Sequence, residues 1–300
     1  MIALLAAAVL SQAPCAAEQA PGVWQKPHDE LANIAPGFPK AKWPVLLAHS
    51  DQLIAMLKKA LPNPVGLSAA PARQFSGYPH AKDGPVPHGL EVPFFSLYCD
   101  KAGKLSAEDE TGTWVYIELN TLYWLANERL QAFFPTAGGA TILKVPEHTE
   151  ELHGVPVYKP HIVSGQPAEA VVFTRGGVPP YHLISRATYL EARIKAEKND
   201  ANRKLLEQAL QALTEEERHK AAVVKEFNAL PPKVFATPAE GGEHVATIEK
   251  KVFEPQGPRE GIQAVSVYWS FDEKKESNLR LVRELKQNFD WEALKKMVEP

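Results

Sequence analysis

The stretch "QAVSVYWSF", Gln263–Phe271, alternates without a slip. Val265, Val267, Trp269 and Phe271 fall on one side of an extended chain, and Ala264, Ser266, Tyr268 and Ser270 on the other. Successive side chains of a strand point to opposite faces, so this pattern predicts a strand with one apolar and one mixed face. "TWVYIELN", Thr113–Asn120, has the same period, with Val115, Ile117 and Leu119 set against Trp114, Tyr116, Glu118 and Asn120. Further strands are expected in "LEVPFFSLYC", where Pro93 asks for an edge or a bulge, and in "ATILKV", "GVPVYK" and "EHVATIEKKVF".

Between these strands lie helical patterns. "SDQLIAMLKKAL" puts Leu53, Met56, Leu57 and Leu61 on one face, with Ser50 or Asp51 as the cap. "TLYWLANERLQAFF" predicts a second helix. Leu279, Val282, Leu285 and Phe289 predict a third, and Asp290 caps a last one carrying Trp291, Leu294 and Met297. Strands do not alternate regularly with helices, which excludes a doubly wound sheet and a (β/α)₈ barrel. The fold class is α+β, with antiparallel sheets, segregated helices and a long helical arm.

The segment "VVFTRGGVPPYHLISRATYLEARIKAEK", Val171–Lys198, predicts a hairpin turned by Gly176-Gly177, because a two-residue turn needs positive φ angles. Pro179 and Pro180 push its second strand to an edge. Ser185 caps a helix whose apolar face runs through Leu190 and Ile194, and whose continuation past Asn199 carries Leu205 and Leu213. "TEEE" at Thr214 is a capping box opening a further helix to about Phe227.

The chain has 300 residues, a formal net charge of -3 and 26 prolines. No overall basic field exists to hold nucleic acid. "IALLAAAVL" followed by "SQAPCAAEQA" has the apolar core and small-residue site of a secretory signal peptide, with cleavage after Ala17. Three regions follow: a signal peptide over 1–17, an N-terminal α+β region over 18–165 with proline-rich loops, and a C-terminal α+β region over 166–300 with a helical arm over 185–227. Residues 18–45 are expected as a surface arm. Cleavage there removes Cys15 and leaves Cys99 as a buried thiol with no internal disulfide. No later apolar run is long enough for a transmembrane anchor in the mature form.

No standard catalytic signature is present: no G-x-S-x-G, no phosphate-binding glycine loop, no H-E-x-x-H and no paired C-x-x-C. His148, His153 and His161 beside Glu147, Glu150 and Glu151 do not share a helix or strand face, so that stretch is expected as a solvated acidic loop and no metal is assigned. Glu108, Asp109 and Glu110 are expected in a charged turn. Trp114, Tyr116, Tyr123 and Trp124 are candidates for a stacking platform for a sugar or peptide, although packing explains them as well. Arg175, Tyr181 and Arg186 are the polar candidates for an anionic ligand, with Arg186 in a first helical turn. No cofactor is implied.

"PPYHLISRATYLEARI", "LTEEERHKAAVV", "GIQAVSVYWSFD" and "FDWEALKKMV" resemble a loosely defined group of secreted bacterial proteins without an established activity. The resemblance covers mainly residues 155–298 and rests on Pro179-x-Tyr181, Ile184-Ser185-Arg186-x-x-Tyr189-Leu190, the Leu213–Arg218 segment and Phe289–Leu294. Where the group often has Pro-Ala after Glu-Glu-Arg, this chain has Lys220-Ala221. The resemblance implies export and assigns no catalytic residue. The sequence therefore predicts a periplasmic or secreted protein that binds an envelope protein or small ligand without catalysing a reaction. The alternative is an envelope hydrolase acting on glycan or peptide with a site assembled from distant segments. The arm's apolar face also offers a contact for a homo-oligomer.

Overall fold

A computed structural model describes residues 15–30, 37–75, 83–122, 142–145, 147–160 and 166–298. The expected helix over Thr121–Phe134 and the expected signal peptide fall almost wholly outside these residues. The fold is α+β. Its strands are β1 (Val23–Trp24), β2 (His28–Glu30), β3 (Leu67–Ala69), β4 (Ala72–Gln74), β5 (His88–Cys99), β6 (Leu105–Ala107), β7 (Trp114–Leu119), β8 (Leu143–Lys144), β9 (Glu147–Leu152), β10 (Val155–Lys159), β11 (Ala168–Thr174), β12 (Tyr181–Leu183), β13 (Val223–Val224), β14 (Glu243–Ile248) and β15 (Ala264–Ser270). Its helices are α1 (Trp43–Ala60), α2 (Arg186–Ala196), α3 (Asp200–Ala212), α4 (Glu215–His219), α5 (Glu276–Asn288) and α6 (Trp291–Lys296).

The large sheet runs β1-β3-β5-β7-β15-β11-β10-β9, so it draws strands from both sides of residue 165. β15, from near the C-terminus, lies antiparallel between β7 and β11. The register Leu119↔Val265↔Phe173 and Ile117↔Val267↔Val171, with Val115↔Trp269, lines up apolar side chains across one face, and Glu169 beside Trp269 accepts from its indole N–H at 2.8 Å. That face is covered by α1, α5 and α6, which add Leu53, Leu57, Leu281, Leu285, Trp291 and Leu294 to a single core. Trp269 and Trp291 are each 1 % exposed at its centre. Burying side chains of this size is the main favourable term of folding.

Several local expectations are corrected. α1 begins at Trp43, with Pro44 in its first turn, so Ser50 is not a cap. Ser50 is buried in mid-helix, and its hydroxyl donates to Gly89 O of β5 at 2.9 Å. The described part of the expected surface arm does lie at the surface, but it is ordered into the sheet: β1 and β2 add parallel to β3 and β4 at its margin. The acidic histidine stretch is not a loop but the hairpin β9–β10, turned by His153 and Gly154 at φ 51 and 78. Pro93 is not on an edge: it sits inside β5 where the partner changes from β4 to β3, opposite Ala70, whose N–H donates to Pro93 O at 3.1 Å.

The Gly176-Gly177 hairpin is also corrected. Both glycines do take positive φ, 66 and 67. The strands they join belong to different sheets, since β11 pairs with β15 and β10 while β12 pairs with β14. Val178-Pro179-Pro180 intervene, and neither proline can donate to a returning ladder. The turn therefore carries the chain from the large sheet to a smaller one of β8, β12, β13 and β14.

The helical arm is three helices. Ser185 caps α2 by accepting from Thr188 N, as its residue type predicts. α2 stops at Ala196 because Asn199 takes up the cap of α3, accepting from Ala201 N and Asn202 N. Thr214 and Glu217 form the expected capping box. The last helix ends at His219 rather than Phe227, because Ala222 N bonds Ile184 O and Val223 pairs with His244. Two adjacent valines favour that extended pairing over another helical turn. α2 and α3 pack Tyr189, Leu190 and Leu206 onto Val224, Phe227 and Val245.

The cysteines are corrected most sharply. Cys15 and Cys99 form a disulfide across 84 residues, and no described cysteine is free. Closing so long a loop restricts the unfolded chain, so reduction, or Cys99→Ser, should lower unfolding free energy by about 2–5 kcal/mol. Urea denaturation of oxidised and reduced protein reads this; coincident midpoints would mean that the clamp contributes nothing.

Candidate functional site

The face of the large sheet away from α1, α5 and α6 has a different chemistry. Cross-strand register builds it row by row. Ala72, Glu91, Tyr116, Tyr268, Ala170 and Tyr158 form one row. Gln74, Gly89, Glu118, Ser266 and Val172 form the next. Trp114, Ser270 and Ala168 stand on the other side of the first row. No lysine or arginine occurs in these three rows, which hold two carboxylates and four aromatic residues.

Trp114 and Tyr116 stack with centroids 5.7 Å apart and planes 15° apart. Tyr116 also leans on Tyr268 at 5.8 Å, and Tyr158 meets Tyr181 edge-on at 5.8 Å. The first pair was expected as part of a platform; Tyr123 and Trp124 lie outside the described residues. Tyr116, Glu118 and Tyr268 are buried, whereas Glu91, Trp114, Tyr158 and Tyr181 form a half-buried rim.

Electrostatics tie these groups together. Burial pushes the Tyr116 hydroxyl well above the ordinary phenol value, and Glu91, Tyr268 and Glu118 push it further; its hydrogen bond to Glu91 acts in the same direction. Burial likewise raises Tyr158, Tyr268 and Tyr181, the last helped by Tyr158. All four phenols stay protonated at physiological pH. Glu118, 4 % exposed, receives the Ser266 hydroxyl at 3.4 Å, a hydroxyl that also lies 3.2 Å from Thr121 O. The face thus combines phenols, carboxylates and aromatic surfaces, and Tyr116 and Tyr268 pack with Leu122, Leu143, Val252 and Phe253 in a second apolar cluster whose partly exposed margin is Trp114, Tyr158 and Tyr181.

The three residues proposed from sequence do not converge. Arg175 reaches Gln256 O at 3.3 Å. Arg186 lies over the Phe235 ring at 4.9 Å and 3.9 Å from Glu217, tying α2 to α4 and the chain beyond it. Tyr181 alone joins the aromatic rim. Arg186 in a first helical turn is therefore employed in packing rather than in an anion pocket with the other two. Glu108, expected in a charged turn, is ion-paired with Lys275 at 2.7 Å.

No family model, curated protein or solved structure is detectably similar to this chain. Among the described residues, no group of three or more His, Cys, Asp or Glu is arranged to hold a metal ion. No described helix is long and apolar enough to cross a membrane.

Sequence reasoning saw Tyr116 and Glu118 on one strand face but missed Glu91 and Tyr268, because the partners of β7 are distant in the chain. The detectable signal was the two alternating segments, whose polar faces match in period. Gly89 makes the pairing possible. A Cβ there would stand 2.2 Å from Ile117 O, so β5 approaches β7 more closely than any other residue permits. Gly89→Ala should destabilise the protein by about 1–3 kcal/mol and loosen the Glu91–Tyr116–Glu118 cluster. Thermal unfolding with near-ultraviolet circular dichroism checks this; an unchanged midpoint and aromatic spectrum would contradict it.

Proposed function

We propose that this is an exported binding protein that takes a neutral or cationic envelope ligand, a glycan or peptide fragment, along the rim of Glu91, Trp114, Tyr158 and Tyr181. The observation that carries the reading is the row of stacked aromatics and carboxylates without a basic residue. Aromatic faces suit sugar rings and ammonium groups, and carboxylates accept from hydroxyls and amines. An anionic ligand would meet repulsion there, so the anion expected from Arg175 and Arg186 gives way to the opposite charge preference.

Export is supported by the apolar leader and by the disulfide, since disulfides persist in oxidising compartments and are rare in the cytosol. The disulfide moves the processing point. Cutting after Ala17 would cut inside the turn Ala17–Gln19 and discard Cys15. In this reading the leader is removed upstream of Cys15, whose sulfur serves the bond to Cys99.

The hydrolase alternative keeps one supporting observation. Glu91 and Glu118, from different strands, both act on the Tyr116 hydroxyl, as a site built from distant segments requires. Calorimetric titration with soluble peptidoglycan fragments, neutral and amine-bearing, separates the readings. Binding should weaken at least tenfold in Trp114→Ala and Glu91→Gln proteins, with no new reducing ends or free peptide formed. Unchanged affinity in both variants would overturn the site, while turnover abolished by Glu118→Gln would establish the hydrolase. Intact mass of the protein isolated from the periplasm should include Cys15; a chain beginning at Glu18 would refute the processing point.

A further inference from the structure

A second polar constellation lies at the start of β5, on the opposite face of the sheet from the aromatic row. His88, the first residue of β5, is 0 % exposed. Its Nδ1 is 2.8 Å from Val86 O, and its Nε2 is 3.0 Å from Nδ1 of the half-buried His49 on α1. The hydrogen-bond directions follow from valence. A carbonyl oxygen only accepts, so His88 carries its proton on Nδ1. Its Nε2 then has a lone pair and accepts from His49, which also carries its proton on Nδ1. Val86 O further accepts from Asn120 Nδ2 at 3.1 Å, and Asn120 Oδ1 accepts from Gln263 N at 2.8 Å. A continuous chain of hydrogen bonds thus joins α1 to β5, to the end of β7 and to the entry of β15.

The chain as drawn needs a neutral His88, whose Nε2 lone pair accepts, while His49 only donates through Nδ1. Protonating His88 would place an N–H on Nε2 opposite His49 Nδ1, require His49 to move its own proton to Nε2, and leave a charge on a fully buried ring. Charged groups do surround the region, but each has another partner or none at the rings. Asp51 of α1 and Asp29 of β2 hold Arg73 of β4. Lys42, before α1, holds Glu260, and Arg259 donates to Gly84 O. Glu118 of β7 belongs to the opposite sheet face, and Asp83 is exposed. Among the described residues, no carboxylate is hydrogen-bonded to or ion-paired with either imidazole. Burial lowers His49 and lowers His88 to about 3, with Val86 O opposing the latter shift and His49 adding to it.

The packing shows what the pair secures. Under the first turns of α1, Phe38, Leu46, Phe75 and Val86, with Trp43 and Leu47 against them, form a small cluster of their own. The second half of α1, with Leu53, Ile54 and Leu57, belongs to the main core. Ser50 marks the boundary through its bond to Gly89 O. We propose that the His49–His88 pair is an acid-sensitive latch that holds the first half of α1 on the sheet and releases it when the buried His88 takes up a proton.

The sign follows from linkage. The latched state excludes protons that an opened segment binds at the ordinary histidine value. Its stability is full above about pH 6.5 and is lost as pH falls from there toward the lowered value of the latched state. For His88 alone, opening becomes roughly thirtyfold more favourable between pH 7.5 and 5.0.

Hydrogen exchange of the full chain, corrected for the intrinsic pH dependence of exchange, tests this. Peptides covering 38–50 and 84–90 should lose at least tenfold in protection at pH 5.0, while those of β11 and β15 keep theirs. In the His49→Gln/His88→Gln protein, which retains donors and acceptors but cannot titrate, protection should be flat with pH. Equal protection of the wild-type segment at both pH values, or an equal loss in the variant, would overturn the latch. Should the double variant fail to fold, ¹⁵N spectra of the wild-type imidazoles decide. Both rings should be Nδ1–H tautomers at pH 7.5, and an Nε2–H in His88 would overturn the proposal.

Discussion

The placement of β15 between β7 and β11 is the constraint from which the rest of the structure follows. A strand alternates its side chains strictly, so fixing the register of Ala264–Ser270 against both neighbours assigns every residue of three strands to a face. One face becomes Val115, Ile117, Val267, Val171 and Trp269, which only helices or another apolar layer can cover. The other becomes Tyr116, Glu118, Ser266 and Tyr268, which a hydrophobic layer alone cannot satisfy. A slip of one residue would put Glu118 among the buried leucines and valines of the helical face. The same placement makes the fold non-local, because the centre of the sheet waits for residues near the C-terminus.

That non-locality explains what was legible in the sequence. Period-two segments, the Ser185 and Asp290 caps and the Thr214 capping box are local signals, and each is found where its residues predict it. Strand partnership is not local. Gly176-Gly177 shows the difference: the positive φ angles were readable, yet the sheet to which the next strand returns was not. Ser50 shows it again, since its cap chemistry is spent on a carbonyl of β5 that lies far along the chain. Of the candidate site, Trp114, Tyr116 and Glu118 were visible together as one strand face. Glu91 and Tyr268 join them only through pairing, and Arg175 and Arg186, attractive by residue type, are held elsewhere by packing.

The disulfide adds a covalent restraint at the margin of this frame. It joins the start of the described chain to the end of β5, while β5 also carries Glu91 in its middle and His88 at its beginning. One long strand thus links the N-terminal clamp, the carboxylate–tyrosine row and the histidine pair. The row and the histidine pair use opposite physics. The row keeps phenols protonated beside carboxylates, a setting that favours neutral or positive ligands. The histidine pair has no carboxylate partner among the described residues, so none of them supplies a counter-charge for a proton there.

The central claim is that the polar face of the sheet receives a ligand. Titrating isotopically labelled protein with a neutral peptidoglycan fragment, and following backbone and aromatic resonances, tests it most directly. The account predicts shifts centred on Glu91, Trp114, Tyr116, Tyr158 and Tyr181, with the resonances of α5 and α6 unmoved. Shifts confined to the helical face, or to α2–α4, would contradict it.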